Sequence, residues 1–206
     1  MDRRLELLIC LVALVVAVPL FLLTYLVVFV ALGRPVMFHQ ERSGRNGVPF
    51  QVVKFRTLTD ARDADGVWLP DAERLTPLTK LLRRTRFDEL PQLFIILRGR
   101  MALVGPRPLL PRTIEDFGPA GKLRGSVRPG LTGWSQVSGN TALSDNEKLQ
   151  LDLWYVAHRS TRLDLNILAE TVGVAVFGER RRMDRLERAA AWLATQPTQN
   201  KTEAQS

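Results

Sequence analysis

Between Leu7 and Leu32 the chain carries no charged residue. A helix needs about 20 apolar residues to cross the hydrocarbon core of a bilayer, so this run is long enough to span one. Asp2, Arg3, Arg4 and Glu6 precede it, and Arg34, Arg42 and Arg45 follow it. Arginine thus flanks both ends, and charge asymmetry sets no direction of insertion. Pro19 stands in the middle of the run, where it removes one helical hydrogen bond and crowds the carbonyl four residues earlier. Two arrangements meet these constraints. One is a single-pass span that tolerates its proline. The other is a re-entrant pair of half-helices that enters and leaves by the same face, with Thr24 and Tyr25 near enough to help satisfy the freed backbone groups. The run is too long for a cleaved leader, and no small-residue cleavage site ends it.

The whole chain is about one domain long, with a net charge of +8 and a pI of about 10.5. Arginine greatly outnumbers lysine, a balance that suits anionic partners: acidic lipid head groups, phosphorylated substrates or nucleic acid. Aromatic residues are not interleaved with the basic runs, which argues against nucleic acid. The single cysteine, Cys10, excludes an internal disulfide and reads as an inert buried thiol. His39 and His158 are too far apart in sequence to suggest a zinc site.

After Gly33-Arg34-Pro35, residues 36–38 and 50–55 read as short strands around a turn with Gly44, Asn46, Gly47 and Pro49, which makes a β-hairpin. The polar loop from Asp60 to Pro70 lacks the terminal Glu of a calcium loop. Thr79 to Arg84 reads as a short basic helix. Residues 104–108 (Val-Gly-Pro-Arg-Pro) and 128–134 (Arg-Pro-Gly-Leu-Thr-Gly-Trp) read as constrained loops within Gly- and Arg-rich surroundings. Ser144 to Val156 predicts a helix. Leu163 to Phe177 predicts an apolar segment, either a buried helix or one lying against a membrane. From Glu179 the chain is arginine-rich, and Met183, Leu186, Ala190 and Leu193 form a helical apolar stripe. This helix either lies on an anionic bilayer or docks with a solvated basic face. Pro197 onward is polar and predicted to be disordered.

The sequence Arg83-Arg84-Thr85-Arg86-Phe87-Asp88-Glu89-Leu90-Pro91-Gln92 sets two adjacent carboxylates behind a run of arginines. Leu90, Leu93, Phe94 and Leu97 have helical spacing, Gly99 can end the helix, and Pro91 belongs in its first turn. Asp88 and Glu89 therefore sit at or beside a helix N-terminus, where the dipole favours anions. Two readings follow. The carboxylates are a helix cap and a dipole partner, or they are a nucleophile and a metal ligand for phosphate chemistry.

Taken together, Lys54-Phe55-Arg56-Thr57, the Asp88–Leu93 segment, the Pro-Arg-Pro loop and the 128–134 loop resemble the monotopic phosphoglycosyl transferases of the bacterial sugar transferase family, in order and in spacing. The resemblance runs from the apolar segment to about Ile167. It implies an α+β, mainly helical fold: a re-entrant membrane helix broken near Pro19, then a small cytosolic catalytic domain with a short β-hairpin and interfacial helices. The corresponding segments are an anchor at 1–34, a catalytic domain at 35–178, a basic amphipathic helix at 179–196 and a tail at 197–206.

The resemblance also implies transfer of a sugar-1-phosphate from a nucleotide sugar, UDP-linked by family default, to polyprenyl phosphate at the cytosolic face of the bacterial inner membrane. That is the first membrane step in glycan assembly. Asp88 would be the nucleophile, carrying a covalent phosphosugar. Glu89 would handle a metal or a proton, and Mg2+ would be required at the Asp88–Glu89 pair. Lys54, Arg56, Arg83, Arg107 and Arg128 would supply positive charge to the substrates, and Asp152 and Asp164 match acidic positions of the family. Partners implied are the donor, the lipid acceptor and anionic membrane lipids. Whether the chain forms a homo-oligomer is left open.

The chain departs from the family pattern at Val18 and Arg86, where relatives often have Ser, and at Ile95, Arg100 and Ala102, where they carry Asn, an acid and Ser. These departures keep a second reading alongside the enzyme: a catalytically degenerate membrane protein that binds nucleotide sugar or lipid.

Overall fold

A computed structural model describes residues 1–196; the tail expected to be disordered lies outside the described residues. The structure is mostly helical, with two two-stranded sheets. Two compact units alternate along the sequence. Arg4–Glu41 and Gln51–Gly99 form what we call the anchor unit. Met1–Arg3, Arg42–Phe50 and the described chain from Arg100 form the loop unit.

In the anchor unit, helix α1 runs from Arg3 to Leu32 as one continuous helix with Pro19 inside it, rather than as two half-helices. Gly33, at φ +68°, closes it, and its N–H reaches the Phe29 carbonyl at 2.9 Å. Among the described residues α1 is the one helix long and apolar enough to cross a membrane. A narrow stripe is buried: Glu6, Cys10, Ala17, Thr24 and Val28. Cys10 donates its thiol to the Leu93 carbonyl at 3.6 Å, and Phe21 packs against Phe55 with ring centroids 4.9 Å apart. Val28 joins Val36, Phe55 and Leu82 in a core that Phe87 and Leu90 extend. The remaining faces expose Leu8, Val15, Leu22 and Val30. A helix in water hides its apolar stripe and exposes polar residues; α1 does the reverse.

Strands β1 (Met37–Ser43) and β2 (Pro49–Phe55) pair as the expected hairpin, with β1 longer than its apolar start suggested. Asn46 and Gly47 take the positive φ values of the turn. Helix α2 (Pro77–Thr85) starts two residues before the expected basic helix, because Thr76 and Thr79 form a reciprocal cap and Pro77 fills the first helical position. Helix α3 (Gln92–Leu97) ends at Gly99, at φ +78°.

In the loop unit, β3 (Ala102–Val104) and β4 (Gly130–Thr132) pair in parallel, with Ala102 opposite Gly130 and Val104 opposite Thr132. Parallel strands require a crossover, and helices α4 (Pro111–Asp116) and α5 (Gly118–Arg124) supply it. The sequence marks residues 118–133 as rich in Gly and Arg and assigns no element before the loop at 128–134; Pro119 in the first turn allows a helix there despite the glycines. Helices α6 (Asp145–His158), α7 (Thr161–Phe177) and α8 (Met183–Ala194) follow. Helix α7 buries Asp164 and Ile167 while exposing Val172, Val176 and Phe177. Helix α8 packs on α6 and buries Arg185, Leu186 and Ala189.

Ser144 and Glu147 form a capping box at the start of α6. The Ser144 backbone N–H holds the Glu147 carboxyl below its ordinary range, helped by the Ser144 hydroxyl and the Arg181 charge against the opposing effect of desolvation. A depressed folded value means stabilisation that is present above the unfolded carboxylate pKa and is lost as pH falls through the folded one. Two outcomes are expected in thermal unfolding. Ser144→Ala lowers stability by about 1 kcal/mol. The gap between the unaltered chain and Glu147→Gln, open at neutral pH, closes as pH falls through the depressed value.

Candidate active site

The Asp88–Glu89 pair is set by a break between two helices of the anchor unit. Arg86 adopts a left-handed conformation, φ 58° and ψ 20°, and stops α2. A 3-10 turn over Phe87–Glu89 follows, and Pro91 precedes α3. Phe87 and Leu90 face the apolar core and pin the turn on both sides of the two acids. Asp88 is 5% exposed and Glu89 is 7% exposed. Asp88 is not the cap of α3, whose N-cap position is Pro91. The Arg86 guanidinium lies 3.8 Å from the Glu89 carboxylate. A non-glycine residue in the left-handed region costs about 1–3 kcal/mol, and here that strain lies two residues before Asp88.

Lys54 precedes the buried Phe55 at the end of β2, and Arg56 follows directly after the strand. With Thr57, Asp60, Trp68, Arg74 and Arg83 they line a cavity of about 340 Å3. Neither Asp88 nor Glu89 is among its described lining residues. Arg83 donates to the Thr57 hydroxyl at 2.9 Å. Arg56 is tied in two directions, to Asp60 at 3.1 Å and to the Leu32 carbonyl at the C-terminal end of α1. A guanidinium there complements the helix dipole. The Arg56 Nε is buried with no hydrogen-bond partner. A buried donor without an acceptor costs free energy that a phosphate oxygen would relieve. Asp63, in the loop that superficially resembled a calcium site, accepts from the backbone N–H groups of Asp65 and Val67 and is a turn former.

In the loop unit, two sequence motifs become one object. Gly105 N donates to the Thr132 carbonyl and Gly130 N to the Pro106 carbonyl, each at 2.9 Å. A Cβ on Gly130 would stand 2.1 Å from Gly105 N, and one on Gly133 would stand 2.1 Å from Gly105 O. Glycine is required because backbone lies against backbone. This contact fixes the loops that carry Arg107 and Arg128. Arg128 donates to the Met101 carbonyl at 3.1 Å.

Arg107 lines a cavity of about 360 Å3 with Arg124, Ser135, Gln136, Asn140, Thr141, Lys148 and Asp152, among others. Asp152, fully buried, receives Arg124 Nε at 2.9 Å and the Ser135 hydroxyl at 2.7 Å. Arg124 also donates to the Arg107 carbonyl at 2.6 Å. Asp152 therefore props the arginine loop through Arg124. Asp164 accepts from the Tyr155 hydroxyl at 2.7 Å and pairs with the N-terminal amine. Burial, and then the nearby Arg107 charge, hold the Arg42 guanidinium below its ordinary pKa. A bound anion would offset that repulsion.

The expected residues thus fall into two groups: Lys54, Arg56, Arg83, Asp88 and Glu89 in the anchor unit, and Arg107, Arg128, Asp152 and Asp164 in the loop unit. Sequence reasoning missed Thr57, Arg124, Ser135 and Tyr155, which act through tertiary bonds that leave no local pattern. The departures from the family pattern are benign in packing. Ile95 and Ala102 are buried apolar residues, and Arg100 is exposed.

Among the described residues no group of three or more His, Cys, Asp or Glu side chains is placed to hold a metal ion. Two adjacent carboxylates fit a different arrangement. Mg2+ retains several waters and binds through one or two carboxylates plus substrate phosphates. Asp88 and Glu89 meet that description with the substrate supplying the remainder.

The glycine contact and the Asp152–Arg124 pair make testable demands. Gly130→Ala is expected to lower stability by roughly 3 kcal/mol or more, because backbone must shift. Gly173→Ala, whose added Cβ would meet nothing within 4 Å, is expected to be neutral or stabilising by up to about 1 kcal/mol. Arg124→Ala strands a buried carboxylate and is expected to cost about 3–5 kcal/mol. Thermal unfolding of the purified chain checks all three.

Residues 1–178 match the family model described as Bacterial sugar transferase. The chain is 46% identical over 160 residues to the Uncharacterized sugar transferase EpsL of Bacillus subtilis strain 168, covering 78% of this chain and 79% of that one. It is 35% identical over 188 residues to the Exopolysaccharide production protein ExoY of Sinorhizobium fredii, covering 83% of each. It is 33% identical over 185 residues to the UDP-N-acetylgalactosamine-undecaprenyl-phosphate N-acetylgalactosaminephosphotransferase of Aeromonas hydrophila, covering 86% of this chain but only 44% of that longer protein. With its paired buried carboxylates, its cationic cavities and this match across most of its length, the chain belongs to the bacterial sugar transferase family.

Proposed function

We propose that the chain transfers a sugar-1-phosphate from a UDP-sugar to polyprenyl phosphate, in two steps through Asp88. The observation that carries this reading is the buried Asp88–Glu89 pair on the same unit as the cavity lined by Lys54, Arg56 and Arg83, with its orphaned Arg56 Nε. The names of relatives support it: the Aeromonas protein is named for a UDP-sugar donor and an undecaprenyl-phosphate acceptor.

In the first step a carboxylate oxygen of Asp88 attacks the phosphorus next to the sugar. The O–P bond forms, the bridging bond to the second phosphate breaks, and its electron pair leaves on uridine monophosphate. In the second step an oxygen of the lipid phosphate attacks the same phosphorus and frees the Asp88 carboxylate. Dividing the transfer in this way lets one buried nucleophile serve two bulky partners in turn. A carboxylate and a diphosphate repel each other, so positive charge dominates the requirements of the site. Lys54, Arg56 and Arg83 supply it on the unit that carries Asp88, and Arg107 and Arg128 are the corresponding cations of the loop unit. Asp88 and Glu89 are the residues that would hold Mg2+, which would supply charge neutralisation for the diphosphate, and Glu89 would serve either as its ligand or in proton handling. Asp152 and Asp164 act indirectly, by fixing Arg124 and Tyr155.

The long apolar helix suits a lipid acceptor whose phosphate lies at the bilayer surface. On this reading α1 sits in the inner membrane as a re-entrant anchor, with Pro19 the site of bending in lipid, and the catalytic residues face the cytosol. The exposed apolar side of α7, with the exposed Arg180 after it, meets anionic lipid.

The test is release of uridine monophosphate by detergent-purified protein supplied with polyprenyl phosphate, Mg2+ and a panel of UDP-sugars. One donor is expected to support release. Asp88→Asn is expected to lower the rate by on the order of 10⁴-fold, and chelation of Mg2+ to abolish release reversibly. Folded protein that releases nothing with any donor would contradict the transferase reading and favour a binding role for the same fold.

A further inference from the structure

The family match ends at residue 178, and the chain then runs back over the segment that lines the Arg107 cavity. Four successive ties hold it there. Glu179 accepts from Asn140 Nδ2 at 2.6 Å, from the Thr141 N–H at 3.1 Å and from the Thr141 hydroxyl. Arg181 donates to the Ala142 carbonyl at 3.0 Å and pairs with Glu147. The Arg182 N–H reaches the Ser138 carbonyl at 2.9 Å. Arg185 is buried, grips Glu170 with bonds of 2.7 and 2.8 Å, and lies 3.9 Å over the Trp134 ring.

Trp134 ends the Arg128–Trp134 motif and continues the stack through Trp154 at 5.3 Å and His158 at 4.4 Å, and His158 meets Trp192 of α8 edge-on at 5.2 Å. Both ends of residues 134–147 are thus clamped by chain that lies beyond the family-matched span.

The clamped segment needs such ties. Gly139 has φ 136° and Asn140 has φ 39°, so the rim is built from conformations that an unrestrained chain populates poorly. Ser135, Gln136, Asn140 and Thr141 all line the cavity, and Asn140 and Thr141 are the residues that Glu179 holds. An exposed carboxylate adds little to global stability. Three donors to it, from Asn140 and Thr141, lie on the cavity rim, which makes shape rather than stability the quantity it controls.

We propose that Glu179 and Arg181 are positioning residues, which hold the Asn140–Thr141 rim in the form that receives the nucleoside diphosphate of the donor at the Arg107 cavity. This inference rests on the transferase reading for the identity of the donor.

The test titrates uridine diphosphate into the full-length chain in detergent and records affinity and Tm for the unaltered protein, Glu179→Ala, Glu179→Gln and Arg181→Ala. Glu179→Ala is expected to weaken affinity about tenfold, since hydrogen bonds to a charged group are lost. Tm is expected to move by no more than about 2 °C. Glu179→Gln, which keeps one acceptor oxygen, is expected to recover part of the affinity. In turnover the same variant raises KM for the donor and leaves kcat unchanged. Equal affinity in all four proteins, at whatever strength, overturns the inference. So does a fall in Tm with affinity unchanged, which would make the segment a stability device. Release of uridine monophosphate by the unaltered chain is scored separately. Its absence alongside an affinity lost in Glu179→Ala would overturn the transfer reaction and leave the positioning role standing.

Discussion

Helix α1 has to satisfy two solvents at once, and the anchor unit is organised by that requirement. Its thin buried stripe meets Phe55, Leu82 and Leu93, while its wider faces are apolar and exposed. Phe55 is the pivot. By burying its ring with Val28 it brings the end of β2, with Lys54 on the strand and Arg56 just after it, to the end of the helix, where Arg56 bonds the Leu32 carbonyl. The same core receives Phe87 and Leu90, which frame Asp88 and Glu89. The cations and the carboxylates of this unit are therefore placed by one apolar cluster. A cavity made at Phe55 would disturb both groups together.

The loop unit solves a different problem, which is to hold arginines rigidly without a large sheet. Two three-residue strands are too short to be stable alone. The close approach of Gly105 to Gly130 and Gly133 replaces side-chain packing with backbone hydrogen bonds, and Asp152 with Arg124 braces the loop from below. Arg124 serves as both the partner of a buried charge and a donor to the Arg107 carbonyl. An ion pair of this kind adds little net stability, yet it fixes one arrangement.

Much of this was legible in the sequence. The apolar run, the hairpin, α2, α6, α7 and α8 follow from periodicity, caps and turn residues, as with Ser144-Asp145-Asn146-Glu147 at the start of α6. The motifs were also visible, but the reason for their glycines was not. Gly105 and Gly130 are far apart in the chain, and parallel pairing across a crossover has no local signature. For the same reason the role of Asp152 became readable only with Arg124 and Ser135 beside it. The left-handed Arg86 was illegible because nothing in its side chain favours that conformation. Pro19 left two courses open for the apolar run, a tolerated proline or a break, and its local chemistry alone does not choose between them; here the helix is continuous through it.

The central claim is that Asp88 carries the phosphosugar between the two substrates. The most direct measurement is mass spectrometry of the protein incubated with its UDP-sugar in the absence of lipid acceptor, followed by rapid acid quench and peptide mapping. The account predicts the mass of one sugar phosphate on the peptide that contains Asp88, discharged on addition of polyprenyl phosphate and absent from Asp88→Asn. Turnover with no such adduct at any time after mixing, or an adduct on a different residue, would contradict it.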